Sequence, residues 1–355
     1  LPPVAARVAD FLSGWRGLGR FWIGVLALLG LGAGILQLLG APPPRVRVAA
    51  PVELPPAAQT AEPDAPASPP GRVDKGAYKL IGVAAPDRDL SQPDPTEQGR
   101  SLPVIAADGR TPMHVYAAAF NTTDIRPRVG ILVAGIGPNE ADSMAAVHDL
   151  PAAATLAISP YANDLDHIVA AARAAGHEYL LSIPMEPQGY PINDPDDRHA
   201  LMSGLSPEKN LGRLHWVMSR IAGYVGVTSA LGQMRGERLA SDPEQLQSLL
   251  GDVAQRGLLF VDARPAQPRA PLAWNRSVDI VIDVDPVNTA NLDAQLEALA
   301  RLARDNGKAL GLVSVPRPRT LERVAAWSAT LQARGLILAP VSALVQPPAK
   351  QESDK

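Results

Sequence analysis

The sequence predicts an α/β fold: a distorted (β/α) barrel of seven or eight mostly parallel strands, preceded by a transmembrane helix and a disordered linker. Three observations predict it. Short apolar runs alternate with helical segments from about Arg128 to Leu344, the pattern of parallel β/α units. The run Phe21–Leu39 is apolar except for Gln37. Sixteen of the 36 prolines fall between Pro42 and Pro127, a composition that buries too little apolar surface to offset its ordering entropy.

The N-terminal elements follow from these runs. Residues 1–20 are expected to be cytoplasmic and 21–39 to span a membrane, since nineteen residues at ~1.5 Å each reach roughly 29 Å. Arg7, Arg16 and Arg20 precede the span, opposed only by Asp10, which keeps the N-terminus inside and exports the rest. A cleaved signal peptide is the alternative, but the run is long for one and Gly40-Ala41-Pro42 is a poor cleavage site. Gly30, Gly32 and Gly34 offer small positions where helices can approach. Residues 40–100 read as an extended Pro/Ala-rich tether. Residues 101–127 read as a strap on the main domain, with a turn at Asp108-Gly109 and apolar Val115, Tyr116 and Phe120; a longer tether is the alternative. The main domain is expected over 128–344 and a disordered tail over 345–355.

Within the main domain the strands are expected at Val129–Val133, Ala154–Ile158, Glu178–Ile183, Tyr224–Val227, Leu258–Val261, Val278–Ile282, Ala309–Val313 and Leu336–Leu338. Between them lie helices at about Asn139–His148, Leu165–Ala175, Ser206–Ala222, Ser241–Gln255, Asn291–Asn306 and Arg319–Ala333. Ser206-Pro207 and Asp242-Pro243 are start signals, with a capping side chain ahead of a proline. Gly176, Gly257, Gly307 and Gly335 stand where helices stop.

Several function classes drop out. A net charge of -3 and pI of about 6.1 give no reason to expect nucleic acid. The chain has no cysteine, so disulfides, Cys-metal sites and thiol nucleophiles are excluded. Neither G-x-G-x-x-G nor Walker A follows the first strand, and no cofactor is expected. In such folds the site sits at the carboxyl ends of the strands. These ends carry Ala134 and Gly135, Ser159, Pro184–Glu186, Thr228–Gln233, Asp262–Arg264, Asp283–Asp285 and Ser314–Pro316.

The same positions carry a resemblance. LAISPYAND at Leu156–Asp164, LLSIPMEPQGYP at Leu180–Pro191 and GVTSALGQ at Gly226–Gln233 come in order with RGLLFVDAR at Arg256–Arg264, DIVIDVDP at Asp279–Pro286 and VPRPRTL at Val315–Leu321. Over about Arg128–Leu344 this succession resembles the divergent polysaccharide deacetylases, a bacterial envelope family related to carbohydrate esterases. The resemblance implies a domain linked to envelope carbohydrate metabolism. With the anchor, it implies a single-pass protein of the bacterial inner membrane whose C-terminal domain faces the periplasm. It also implies paired aspartates where Ala134-Gly135 stand, an Asn-His-Met-Gly segment where Ser229-Ala230-Leu231-Gly232 stand, and His-Pro where Val315-Pro316 stand. Ala230 and Val315 therefore replace histidines. Glu186, Asp262 and Asp283 remain at matching positions.

Metal-assisted amide hydrolysis needs ligands around an ion with an open position, a base for the water and a stabiliser for the oxyanion. The side chains of Ala134, Gly135, Ala230 and Val315 supply none of these. Of the six histidines, His148, His167 and His215 fall on predicted helices, His177 at a helix end, His114 in the strap and His199 in a loop, so no metal site is expected. Asp262 and Asp283 either pair as catalytic carboxylates or cap loops. Glu186 either meets a sugar or bonds backbone. Met185, Glu186, Ser229 and Arg264 are the candidates for substrate contact; Arg264, Arg317 and Arg319 could contact an anionic glycan, and Trp216, Trp274 and Trp327 could stack on sugars. The leading expectation is a glycan- or envelope-protein-binding domain without metal catalysis. An active deacetylase or hydrolase using Glu186, Asp262 and Asp283, and a structural envelope scaffold, are the alternatives.

Overall fold

The computed structural model describes residues 83–348 apart from 96, 197, 271, 285 and 286, together with residues 19, 22–23, 25–28 and 30. The chain divides into two units, residues 1–73 and 74–355. In the first, the described residues are helical, and Trp22, Ile23, Leu26 and Leu28 are exposed. Among the described residues no helix is long and apolar enough to cross a membrane. Most of the predicted span lies outside them, as do residues 40–82 of the predicted tether and 349–355 of the tail.

The second unit is an α/β fold built on a curled parallel half-barrel. Its eight-strand path runs β8 (Trp274–Ser277), β7 (Leu259–Asp262), β6 (Gly226–Thr228), β5 (Tyr179–Ser182), β4 (Thr155–Ile158), β3 (Arg128–Ile136), β10 (Lys308–Val313), β9 (Ile280–Val281). A short β11 (Ile337–Leu338) pairs with the start of β3. All these pairings are parallel. The two end strands, β8 and β9, are separated in sequence only by Val278 and Asp279. Those two residues bond the opposite flanks: Val278 N–H donates to Asp262 O at 2.9 Å and Asp279 N–H to Leu310 O at 2.8 Å.

The central strand β3 is the most apolar, and Val129, Ile131, Leu132, Val133, Ala134 and Ile136 have no solvent exposure. Burying each of its large aliphatic side chains contributes about 1.5–3 kcal/mol. Strands buried on both faces must be covered by helices. Beside β3 and β10, α8 (Pro318–Thr330) packs on both α2 (Glu140–Asp149) and α7 (Thr289–Asn306). On the β6–β7 side, α4 (Pro207–Met218) packs on α6 (Pro243–Gln255), and α3 (Leu165–Ala174) packs on α2. The start signals hold: Ser206 Oγ accepts from Lys209 N–H and Asp242 from the N–H groups of Glu244 and Gln245.

Four differences from the sequence expectation have physical causes. Residues 83–100 belong to the body rather than the tether: Val83 and Leu90 are buried, β1 (Ser91–Pro93) pairs antiparallel with β2 (Ser101–Pro103), and Arg110 clasps Asp87, Asp89 and Asp108. Strand β8, WNRS, lacks an apolar run and escapes periodicity. The tail is held at Gln346, which exchanges both backbone hydrogen bonds with Asn275 of β8. Helix α4 stops at Met218 rather than Ala222, because Ser219 Oγ turns back to Trp216 O and Tyr224 Oη bonds Met218 O.

The strap packs as expected. Its short helix α1 (Pro112–Val115) docks by Met113 N–H on Gly257 O. Ala118 N–H reaches the buried carboxylate of Glu178 at 3.1 Å. Glu178 also accepts from Thr155 Oγ1, Ser342 N–H and Ser342 Oγ, tying strap, barrel and C-terminal turn at one point.

Candidate active-site cleft

The carboxyl end of β3 is a bulge. Val133 pairs with Leu156 and Ile136 with Ile158, so Ala134 and Gly135 together oppose Ala157. Ala134 has no exposure and packs in one apolar cluster with Ala230 and Ala263 at the ends of β6 and β7. Gly135 takes a left-handed φ of +73°, and a Cβ there would lie 3.0 Å from Ser314 O and 3.1 Å from Pro316 Cδ. The segment after β10 thus lies against the backbone where a side chain would otherwise project.

That segment is pinned by Asp283. Its carboxylate, 3 % exposed, accepts Ser314 N–H at 2.7 Å and Val315 N–H at 3.0 Å. Three residues later α8 begins with Pro318, which has no N–H, and its N-terminus has no side-chain cap.

These ends open on a cleft of about 780 Å³ lined by Gly135, Ser159, Tyr161, Asn193, Asp194, Asp196, Gln233, Glu237, Val315 and Arg317, among others. The volume lies in the range of small-ligand sites. One wall is the loop after Pro187. Asp196 holds a left-handed φ of +81° there and pairs with His199 at 3.2 Å. His199 stacks on Trp216 with ring centroids 3.6 Å apart, and Arg220 lies over the Trp216 ring. Burial pushes the Asp196 carboxyl up, but the hydrogen bonds from His199 and Arg198 N–H outweigh it and hold it below the usual range. Burial, reinforced by the Asp196 charge, pushes the Tyr161 phenol up, so it stays protonated. Glu237, on α5 (Glu237–Ala240), accepts Gln188 N–H at 3.3 Å.

The three carboxylates proposed from sequence as a catalytic set are not brought together in this cleft. Glu186 accepts Ser203 N–H and Oγ, both at 2.6 Å, and pairs with Arg238 at 3.1 Å. It lines a smaller, separate pocket with Tyr190 and Arg213. Asp262 is forked by its neighbour Arg264 and lies in a third pocket beside β8. Asp283 caps the β10 loop as described. Each is committed to positioning backbone or a cation, and of the two alternatives for Asp262 and Asp283 it is the loop-capping one that the hydrogen bonds fit.

Of the substrate-contact candidates, Met185 is buried beneath Gly236 and bridges to Leu201. Ser229, also buried, accepts Ala263 N–H at 2.9 Å. Glu186 and Arg264 serve as just stated. None of the four lines the cleft, although Gln188, Leu231 and Gln233, a few residues away, do. Arg317 lines it; Trp216 supports its wall from behind. The residues missed, Tyr161, Asn193, Asp194, Asp196 and Glu237, sit in loops or in a four-residue helix, where no periodicity marks them.

A divalent ion does not fit this donor set. The bulge and the β6 and β10 ends present Ala134, Gly135, Ala230 and Val315, and among the described residues no three His, Asp or Glu side chains gather to hold a metal. His177 is fully buried between Ala154 O and Val147 O, and His199 at the cleft wall is committed to Asp196 and Trp216.

Residues 131–345, well over half of the chain, match the family of divergent polysaccharide deacetylases. The chain belongs to that family. The divergent polysaccharide deacetylase domain here is also similar to the crystal structure of uncharacterized protein ATU2773 from Agrobacterium tumefaciens C58, at 34 % identity and a TM-score of 0.64, covering 69 % of this chain and 100 % of that one. The catalytic domain of a peptidoglycan N-acetylglucosamine deacetylase from Eubacterium rectale ATCC 33656 matches at 13 % identity and a TM-score of 0.40, over 65 % of this chain and 94 % of that one. No curated protein matches the sequence.

Proposed function

We propose that this divergent polysaccharide deacetylase is a membrane-anchored, periplasm-facing protein of the bacterial envelope that binds glycan in the cleft and does not carry out metal-dependent deacetylation. The observation that carries the reading is the β3 bulge: Ala134 and Gly135 offer no ligand atoms where the family resemblance implies paired aspartates, and Ser314 and Pro316 take the space a side chain at 135 would need. A cleft of about 780 Å³ with hydroxyl, amide and carboxylate groups on its walls suits a short saccharide, which is recognised by hydrogen bonds to its hydroxyls. The anchor reading is supported by the apolar run Phe21–Leu39 with arginines ahead of it, and by Ile23, Leu26 and Leu28 standing exposed, since large apolar side chains in a row mark an interaction surface.

The test has three arms. Full-length protein in detergent, soaked in zinc and desalted, is expected to retain less than one metal per chain. N-acetylated chitooligosaccharides and peptidoglycan fragments are expected to bind by calorimetry without release of acetate. Membrane fractionation is expected to lose the protein on deletion of residues 21–39. Stoichiometric zinc with acetate release would overturn the non-catalytic reading, and the absence of any saccharide binding would overturn the glycan reading.

A further inference from the structure

We infer that Arg317 is the anchor for a negatively charged substituent on the ligand of the cleft, so that the ligand class is an acidic saccharide bearing a carboxylate or phosphate rather than a neutral one. The inference rests on the glycan-binding reading above.

Arg317 lines the cleft, and its Nη1 is buried without any hydrogen-bond partner. A guanidinium stays charged at every physiological pH. Leaving one of its buried N–H groups without an acceptor costs more than it does for a neutral donor, and such a group calls for an explanation. The cleft's own carboxylates do not meet the need. Asp196 is paired with His199, Glu237 lies 3.6 Å from Arg235 and accepts Gln188 N–H, and Asp194 accepts Asp196 N–H. Among the described residues no carboxylate forms an ion pair with Arg317.

The local backbone points the same way. Arg317 is the N-cap residue of α8, and that thirteen-residue helix has no side-chain cap, so the positive end of its dipole lies at the residue that lines the cleft. In the same turn Thr320 is fully buried with its Oγ1 unpartnered. The cleft therefore holds one cation at the β10–α8 end and its acids on the opposite loop and α5. A ligand with an oxyanion on one side and hydroxyls on the other is oriented by that asymmetry. Carboxylate and phosphate both match the planar fork of donors.

The experiment is calorimetry on the full-length protein in detergent with three probes: the neutral N-acetylglucosamine disaccharide, the disaccharide of N-acetylglucosamine and N-acetylmuramic acid, and N-acetylglucosamine 6-phosphate. At least one acidic probe is expected to bind about tenfold or more tighter than the neutral one, and which of the two does so names the oxyanion. Arg317→Gln is expected to erase the preference for the acidic probe; Arg317→Lys, which keeps charge but not the fork, retains part of it. The melting temperature of Arg317→Met is expected to equal or exceed wild type, because a buried N–H without an acceptor is removed. Neutral binding with no acidic preference, or a preference that survives Arg317→Gln, overturns the role of Arg317 and leaves the glycan reading standing. A clear fall in the Arg317→Met melting temperature assigns the residue to stability and also overturns it. No binding of any probe removes both readings.

Discussion

Asp283 Oδ2 accepts the backbone N–H of Val315 at 3.0 Å. A carboxylate at the end of one strand thereby fixes the loop at the end of its neighbour, at the residue where the family resemblance implies a histidine. The loop so held lies against Gly135 and delivers Arg317 to the cleft. Replacing Asp283 by Ala leaves two buried N–H groups, Ser314 and Val315, without acceptors. We expect a loss of about 2–4 kcal/mol in unfolding free energy, read by chemical denaturation, with Asp283→Asn recovering part because its amide keeps one acceptor oxygen.

Gly135→Ala is expected to destabilise by about 1–3 kcal/mol. The residue is at φ +73°, and the new Cβ would press on Ser314 O at 3.0 Å. A set of substitutions rebuilding Asp at 134 and 135 and His at 230 and 315 is expected to bind no stoichiometric zinc in dialysis, because position 135 has no room for a carboxylate unless the Ser314–Pro316 segment moves. Tight zinc binding by that variant would show the loop to be easily displaced.

Glu178 sets a pH dependence. Burial raises its pKa above the ordinary 4.5, opposed by the donors Ser342, Ala118 and Thr155. For an acid whose folded pKa is raised, the folded state binds the proton more tightly than the unfolded state. The stability this confers is therefore fully present below the unfolded value and is lost as pH rises through the folded one. The stability advantage of wild type over Glu178→Gln should shrink as pH rises above about 4.5. Denaturation of both proteins at a series of pH values checks the sign, and a widening gap would contradict it.

Trp216→Ala removes the surface on which His199 stacks at 3.6 Å. His199 in turn holds Asp196 in its left-handed conformation, which costs on the order of 1–3 kcal/mol for a residue other than glycine. The variant is expected to lose about 2–4 kcal/mol of stability and to speed amide exchange in the loop after Pro187. Saccharide affinity should fall severalfold although Trp216 itself does not line the cleft. Unchanged exchange in that loop would mean the stack does not hold the wall.

Much of the fold was legible because it is local. Strand β3 declares itself as an uninterrupted apolar run, Ser206-Pro207 and Asp242-Pro243 announce α4 and α6, and Gly307 marks the end of α7. That Ala134, Gly135, Ala230 and Val315 stand where the family resemblance implies metal ligands was likewise readable by position. What the chain alone could not reveal depended on distance in space. Strand β8 is polar and exists because β7 and Gln346 flank it. Glu186, Asp262 and Asp283 look alike in sequence as carboxylates after strands. Their roles diverge only because Arg238 with Ser203, Arg264, and the Ser314–Val315 amides reach them in the folded chain. Apolar periodicity and capping are set by neighbours a few residues away, so sequence determines them; the donors that hold Glu186 and Asp283 come from segments 17 and 31 residues distant, so only tertiary structure decides which loop such a charge holds.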